Sequence, residues 1–139
     1  MSGPVTYLDS SALVKLVVRE AESKALAAYL PGRRLVSSRV CIIETRRAIG
    51  RRLGAPWTAP AEAFEQVALV ELDASISERA GGLEPLALRS LDAIHLATAL
   101  ELGPDLDAFV TYDDRQAAAA QAAGMAVMAP AEVPKQSPG

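Results

Sequence analysis

Four carboxylates stand in places where a carboxylate needs a reason, and together they specify a chemistry. Asp9 ends the apolar run "PVTYL" and is followed at once by the apolar "SSALVKLVV", while Asp113 ends "DAFVTY" in the same manner. Taken singly, each reads as a helix N-cap after a strand. Glu44 interrupts "VCIIETRRAI" on a helical face shared with Val40, Arg47 and Arg51, so an intrahelical Glu–Arg pair also accounts for it. Asp92 is harder to leave in solvent, because "SLDAIHLATAL" is apolar nearly all round and sets it on one face with Leu96 and Ala99. Capping of the helix start is the rival account; otherwise a half-buried ionised carboxylate requires a cation or hydrogen-bond donors. If the four meet, the ligand set is oxygen alone, which suits Mg²⁺ or Mn²⁺ together with waters and substrate phosphate oxygens. Without a cation, four such anions repel and raise one another's pKa values. His95, one helical turn beyond Asp92, lacks the paired His of a zinc site and is expected as a hydrogen-bonded core residue.

The elements that must position these residues follow a regular rhythm. "PVTYL", "RLVSS", "VALVEL", "DAFVTY" and "MAVMA" are expected strands. Between them lie "SSALVKLVVREAESKALAAYL", "SRVCIIETRRAIGRRLG", "ISERAGGLEPLALRSLDAIHLATALELG" and "DRQAAAAQAAG", with helical composition, Ser or Asp near their starts and glycines near their ends. Strands separated by helices pair in parallel with both faces covered, which explains runs that are apolar throughout. The expected fold is an α/β/α sandwich with a central, mostly parallel five-stranded sheet. Asp9 and Asp113 then sit at the carboxyl ends of the first and fourth strands, and they meet if those strands are neighbours.

Bulk properties remove other classes. The 139 residues suit one domain, expected over 1–130, with a flexible tail at 131–139 that is rich in proline. No apolar stretch approaches the roughly 20 residues of a membrane span, and the N-terminus lacks the pattern of a secretion signal, so a cytoplasmic location is expected. The single cysteine, Cys41, has no partner for a disulfide or a zinc site and is expected as a buried thiol. The net charge of −3 conceals a division: residues 1–60 carry ten Lys and Arg against four Asp and Glu, and residues 61–139 carry four against thirteen. Arg46, Arg47, Arg51 and Arg52 follow Glu44 closely, either as a solvated helix face or as a track for phosphates.

"TYLDSSALVKL", "ETRRAIGRRLG", "SLDAIHLATALELG" and "AFVTYDDR", in this order and over about residues 5–130, resemble the acidic motifs of the PIN-domain family, specifically VapC-type toxin ribonucleases. The resemblance implies that Asp9, Glu44, Asp92 and Asp113 form the catalytic and metal-binding quartet, with Ser11 and Thr111 as polar supports and Asp113 preferred over Asp114. It implies metal-assisted hydrolysis of RNA phosphodiesters, in tRNA or ribosomal RNA, with the four arginines guiding the backbone. It further implies neutralisation by a cognate VapB-type antitoxin, whose apolar segment would lie across the first helices near Leu16, Val17, Leu26 and Tyr29, positions that amphipathic helices equally bury as core, and homodimerisation. Two rivals stand beside this reading. One is a domain of the same fold that binds RNA or a partner without cleaving. The other is a Mg²⁺-dependent phosphohydrolase with Asp9 as covalent nucleophile, although "LDSSA" lacks the second Asp two residues on that a haloacid-dehalogenase-like enzyme shows.

Overall fold

The computed structural model describes residues 3–58 and 62–132. Five parallel strands form one sheet in the order β3-β2-β1-β4-β5: β1 (Val5–Leu8), β2 (Arg34–Ser38), β3 (Val67–Val70), β4 (Leu106–Val110) and β5 (Val127–Met128). All five expected strands are present, and the order winds outward from β1 in both directions. This reversal places β1 directly beside β4, with Leu8 opposite Val110.

Successive residues of a strand point to opposite faces, so the central strands feed two separate cores. Leu8 and Val110 pack with Ala12, Leu13, Leu26 and Cys41 on one side. Tyr7 and Phe109 pack with Leu96, Ala99, Ala119 and Ala120 on the other. Both faces are therefore covered by helices, the arrangement that parallel strands require. Cys41 is fully buried as an ordinary core thiol. Among the described residues no helix is long and apolar enough to cross a membrane.

Two expected helical segments are each divided. Residues 10–30 form α1 (Ser10–Val17) and α2 (Ser23–Tyr29). The break has a local cause: Val18 leaves the helix in an extended conformation, and the Ser23 hydroxyl, in reach of the Lys15 and Val18 carbonyls, also accepts from the Glu20 N–H. The "GGLEPLAL" stretch likewise separates α5 (Ala74–Gly81) from α6 (Ser90–Leu102). The remaining helices are α3 (Val40–Leu53), α4 (Glu62–Glu65) and α7 (Asp114–Ala122). Gly54 ends α3 with φ of +73°, a left-handed backbone that favours glycine.

The apolar positions of the first helices serve largely as core. Leu26 is fully buried, and Leu16 and Tyr29 pack against the same core. Val17 is half-buried. Of the expected tail, residues 133–139 lie outside the described residues; just before it, Pro130 accepts a 2.7 Å hydrogen bond from the Tyr112 hydroxyl.

Candidate active site

Because β1 and β4 are neighbours, the segments that leave their carboxyl ends emerge side by side. The Asp9 N–H donates to the Val110 carbonyl at 3.2 Å, extending the ladder by one residue beyond the strand. Two hydroxyls then join the segments. Ser11 Oγ donates to Asp9 Oδ1 at 2.6 Å and accepts from the Tyr112 N–H at 2.9 Å. Thr111 Oγ1 donates to Asp9 Oδ2 at 2.5 Å and accepts from the Asp113 N–H at 3.1 Å. Each hydroxyl thus uses both its donor and an acceptor lone pair, and together they fix the Asp9 carboxylate against the backbone that carries Asp113.

Asp9 is also the N-cap of α1, since Oδ1 accepts from the Ala12 N–H at 3.2 Å. Asp113 caps α7 through Oδ1, which accepts from Arg115 and Gln116, while its Oδ2 faces elsewhere. The capping and the clustering readings therefore hold together. A cap fixes the carboxylate's direction at a strand end, and the strand order decides what it meets there.

Asp9 is 3% exposed, and burial pushes its pKa above the ordinary carboxylate range. His95 nearby and the donors Ser11, Thr111 and Ala12 oppose that rise without cancelling it. The folded state holds this proton more tightly than the unfolded chain, so the penalty is absent below the unfolded pKa, grows through the window up to the folded pKa and is fully present above it. Asp9→Asn is accordingly expected to raise the melting temperature of the metal-free protein at neutral pH, by roughly 2–8 °C for each kcal/mol relieved. The difference should vanish on acidification, which thermal melts in EDTA at a series of pH values check.

Glu44 does not pair with its helix neighbours Arg47 and Arg51. Its Oε2 accepts from the Ser10 hydroxyl at 3.0 Å, and its Oε1 lies 2.6 Å from Nε2 of His95 on α6. A carboxylate only accepts, so Nε2 carries the hydrogen; in the neutral ring Nδ1 is then the acceptor for the Tyr7 hydroxyl, 2.7 Å away. Burial pushes the Tyr7 pKa well above its usual value, which keeps the hydroxyl protonated as that donor. His95 and Tyr7 are both fully buried. Asp92 is partly buried, as its helix predicts, and its partner is Arg89: Nε donates to Asp92 Oδ2 at 3.0 Å, and Nη2 of the same guanidinium donates to Asp113 Oδ2 at 3.2 Å. Asp92, and to a lesser degree Asp113 and Glu44, hold the Arg89 pKa above its already high value.

The four carboxylates line one cleft of about 530 Å³, with Ser11 beside them. Asp113, and not Asp114, reaches it. Arg47, Arg51 and Arg89 form its basic wall. Arg46 and Arg52 do not: Arg46 lines an adjoining groove near Trp57, which shares Arg47 and Arg51 with the cleft, and Arg52 pairs with Glu20 at 2.8 Å. Sequence reading missed Arg89, Tyr7 and Ser10 as members of the site. Arg89 had a signal in its i,i+3 spacing from Asp92; Tyr7 had none, because a Tyr on a central strand is ordinary core.

This geometry can be compared with known proteins. A family model for the PIN domain matches residues 6–122. The chain belongs to the PIN-domain family. Ribonuclease VapC46 of Mycobacterium tuberculosis is 50% identical over 125 residues, covering 89% of this chain and 96% of the relative. Ribonuclease VapC35 of the same species is 44% identical over 133 residues, covering 91% and 97%. Among solved structures, the fold is shared with M. tuberculosis VapC20, described as a sarcin-ricin loop cleaving toxin, with a TM-score of 0.66 at 18% identity over 90% of this chain and 99% of that one. It is also shared with a chain of a toxin-antitoxin complex from Klebsiella pneumoniae, with a TM-score of 0.62 at 23% identity over 92% and 99%. The PIN-domain match thus takes in the sheet from β1 to β4, and the acidic cleft lies at the carboxyl ends of β1 and β4.

Proposed function

We infer that this protein is an endoribonuclease, the toxin of a toxin–antitoxin pair, that hydrolyses RNA phosphodiesters at the cleft lined by Asp9, Glu44, Asp92 and Asp113. The observation that carries the reading is the convergence of four carboxylates from three helix starts and one helix interior on a single cleft with a wall of arginines. The ribonuclease relatives at 44–50% identity support the activity.

The donor set fits a hard divalent cation in kind, since every carboxylate of the cleft offers oxygen and Mg²⁺ or Mn²⁺ prefers oxygen. As they stand, no three His, Cys, Asp or Glu side chains among the described residues are close enough to hold an ion. Glu44 is turned to His95 and Ser10, and Asp92 and Asp113 are turned to Arg89. Asp9, Glu44, Asp92 and Asp113 are the residues that would hold the cation. When bound, it supplies Lewis acidity toward the phosphate and a water of lowered pKa.

The chain's own residues do the rest. Ser11 and Thr111 keep Asp9 directed into the cleft. His95 and Ser10 do the same for Glu44. Both Asp9 oxygens already accept hydroxyl hydrogen bonds, which favours a fixed ligand over a covalent nucleophile. Arg47 and Arg51, exposed on α3, attract the RNA backbone. Looped tRNA or ribosomal RNA is the substrate class we assign. A cognate antitoxin is the partner, its apolar contacts drawn to the cleft rim, where Ile43 is 61% and Leu91 45% exposed. Homodimerisation belongs to the same reading.

The reading predicts a division among the four arginines. Replacing Arg47 and Arg51 together by Ala is expected to raise KM for RNA about tenfold and to flatten its dependence on salt, because two phosphate contacts are lost. Replacing Arg46 and Arg52 together is expected to leave both nearly unchanged. Initial rates at several KCl concentrations distinguish the pairs, and equal effects would remove the proposed RNA path. The nuclease itself is tested by incubating the purified protein, freed of antitoxin, with total RNA and a divalent cation.

A further inference from the structure

Arg89 has an unusual position for a surface arginine. Its side chain is 69% exposed, yet its guanidinium spans two carboxylates of the cleft, one on α6 and one at the start of α7. Asp113 has little choice of cation contact, since Oδ1 is committed to the N–H groups of Arg115 and Gln116. Oδ2 is the oxygen left for a cation, and Arg89 takes it; Arg89 also takes Oδ2 of Asp92. Asp92 and Asp113 are 14% and 28% exposed, far less than the arginine that reaches them. A guanidinium here offsets the repulsion of two nearby anions, and its exposed stem leaves it free to swing away.

Resting on the nuclease reading of this cleft, we propose that Arg89 is a resident counter-ion that competes with the divalent cation for Asp92 and Asp113 and, once displaced, contacts a substrate phosphate. Arg89 shares the cleft with Arg47 and Arg51, so the displaced guanidinium remains on the wall that an RNA backbone would follow. Its planar fork suits phosphate oxygens as well as carboxylates. The protein then avoids an uncompensated acidic cleft before the cation arrives and gains an anchor for the backbone afterwards. Arg89 acts as a positioning residue with two alternative anionic partners.

The test is calorimetric titration of Mn²⁺ into the full-length protein without RNA, comparing wild type with Arg89→Gln and Arg89→Lys. Arg89→Gln is expected to bind Mn²⁺ roughly threefold to tenfold more tightly, the size appropriate to losing two solvent-exposed ion-pair contacts. Arg89→Lys is expected to fall between, because an ammonium cannot span both carboxylates with a planar fork. Damage to the site would weaken Mn²⁺ binding, so the direction separates competition from a structural role. Unchanged or weaker binding in Arg89→Gln overturns the proposal. At saturating Mn²⁺, binding of a 2′-O-methylated single-stranded oligoribonucleotide, followed by anisotropy, is expected to weaken by about the same factor in Arg89→Gln. Unaltered affinity there overturns the hand-over to phosphate. Neither readout requires RNA to be cut, so failure of the nuclease reading is distinguishable from failure of this one.

Discussion

Asp9→Asn is expected to lower RNA cleavage by about 10³-fold or more while the protein stays folded, a larger loss than the 10–100-fold typical of a supporting partner. The substitution is nearly isosteric. An asparagine at this position can accept from one of Ser11 and Thr111 and donate to the other, because each hydroxyl oxygen has two lone pairs. What it removes is the negative charge buried at the centre of the cleft. The same change relieves the burial penalty on the ionised carboxylate. Loss of cleavage with a gain in metal-free stability is therefore the expected pair of outcomes. Loss of both would point to a folding role for Asp9, whereas retained cleavage would place the chemistry elsewhere.

The second large effect belongs to a residue outside the acidic quartet. His95→Leu is expected to lower cleavage about 10–100-fold, because the Glu44 carboxylate loses the N–H that orients it across from α6. Tyr7→Phe removes the hydroxyl that serves Nδ1 and keeps the ring stacked on Phe109, 5.1 Å between centroids. Its effect should have the same sign and be smaller, since His95 is still present. Mn²⁺ titration checks the cause: if His95 acts through Glu44, affinity for the cation falls together with the rate. A rate loss with unchanged affinity would assign His95 a different role.

Much of this was legible in the chain because each local signal had one physical meaning. The five apolar runs with β-branched residues became the five strands, and the alternation with helical segments set a parallel sheet. Asp9 and Asp113 were placed at strand ends by the pattern alone. That they meet depends on β1 lying beside β4, a matter of winding that the sequence leaves as a condition and no local pattern states. The α1–α2 break was not legible, because the Ser23 hydroxyl that holds it acts through space on the Lys15 and Val18 carbonyls. Glu44 gave a misleading local answer. Arg47 and Arg51 are its helical neighbours, yet its partners are Ser10 and His95, separated from it by 34 and 51 residues. Arg89 was missed for the related reason that half of its contact, Asp113, lies 24 residues away. Contacts within a helical turn could be read from spacing; those made when sheet and helices pack needed the fold.

The most direct measurement of the central claim is cleavage of total RNA by the antitoxin-free wild-type protein with Mg²⁺, with Mn²⁺ and with EDTA, with the ends of each product mapped. Discrete cuts that require the cation and stop in EDTA are the predicted result, and the mapped ends would identify the RNA. Cleavage that persists in EDTA, or a covalent phosphate trapped on Asp9, would contradict a carboxylate-held cation as the seat of the chemistry; intact RNA under every condition, with Mn²⁺ still bound, would favour a domain that binds without cutting.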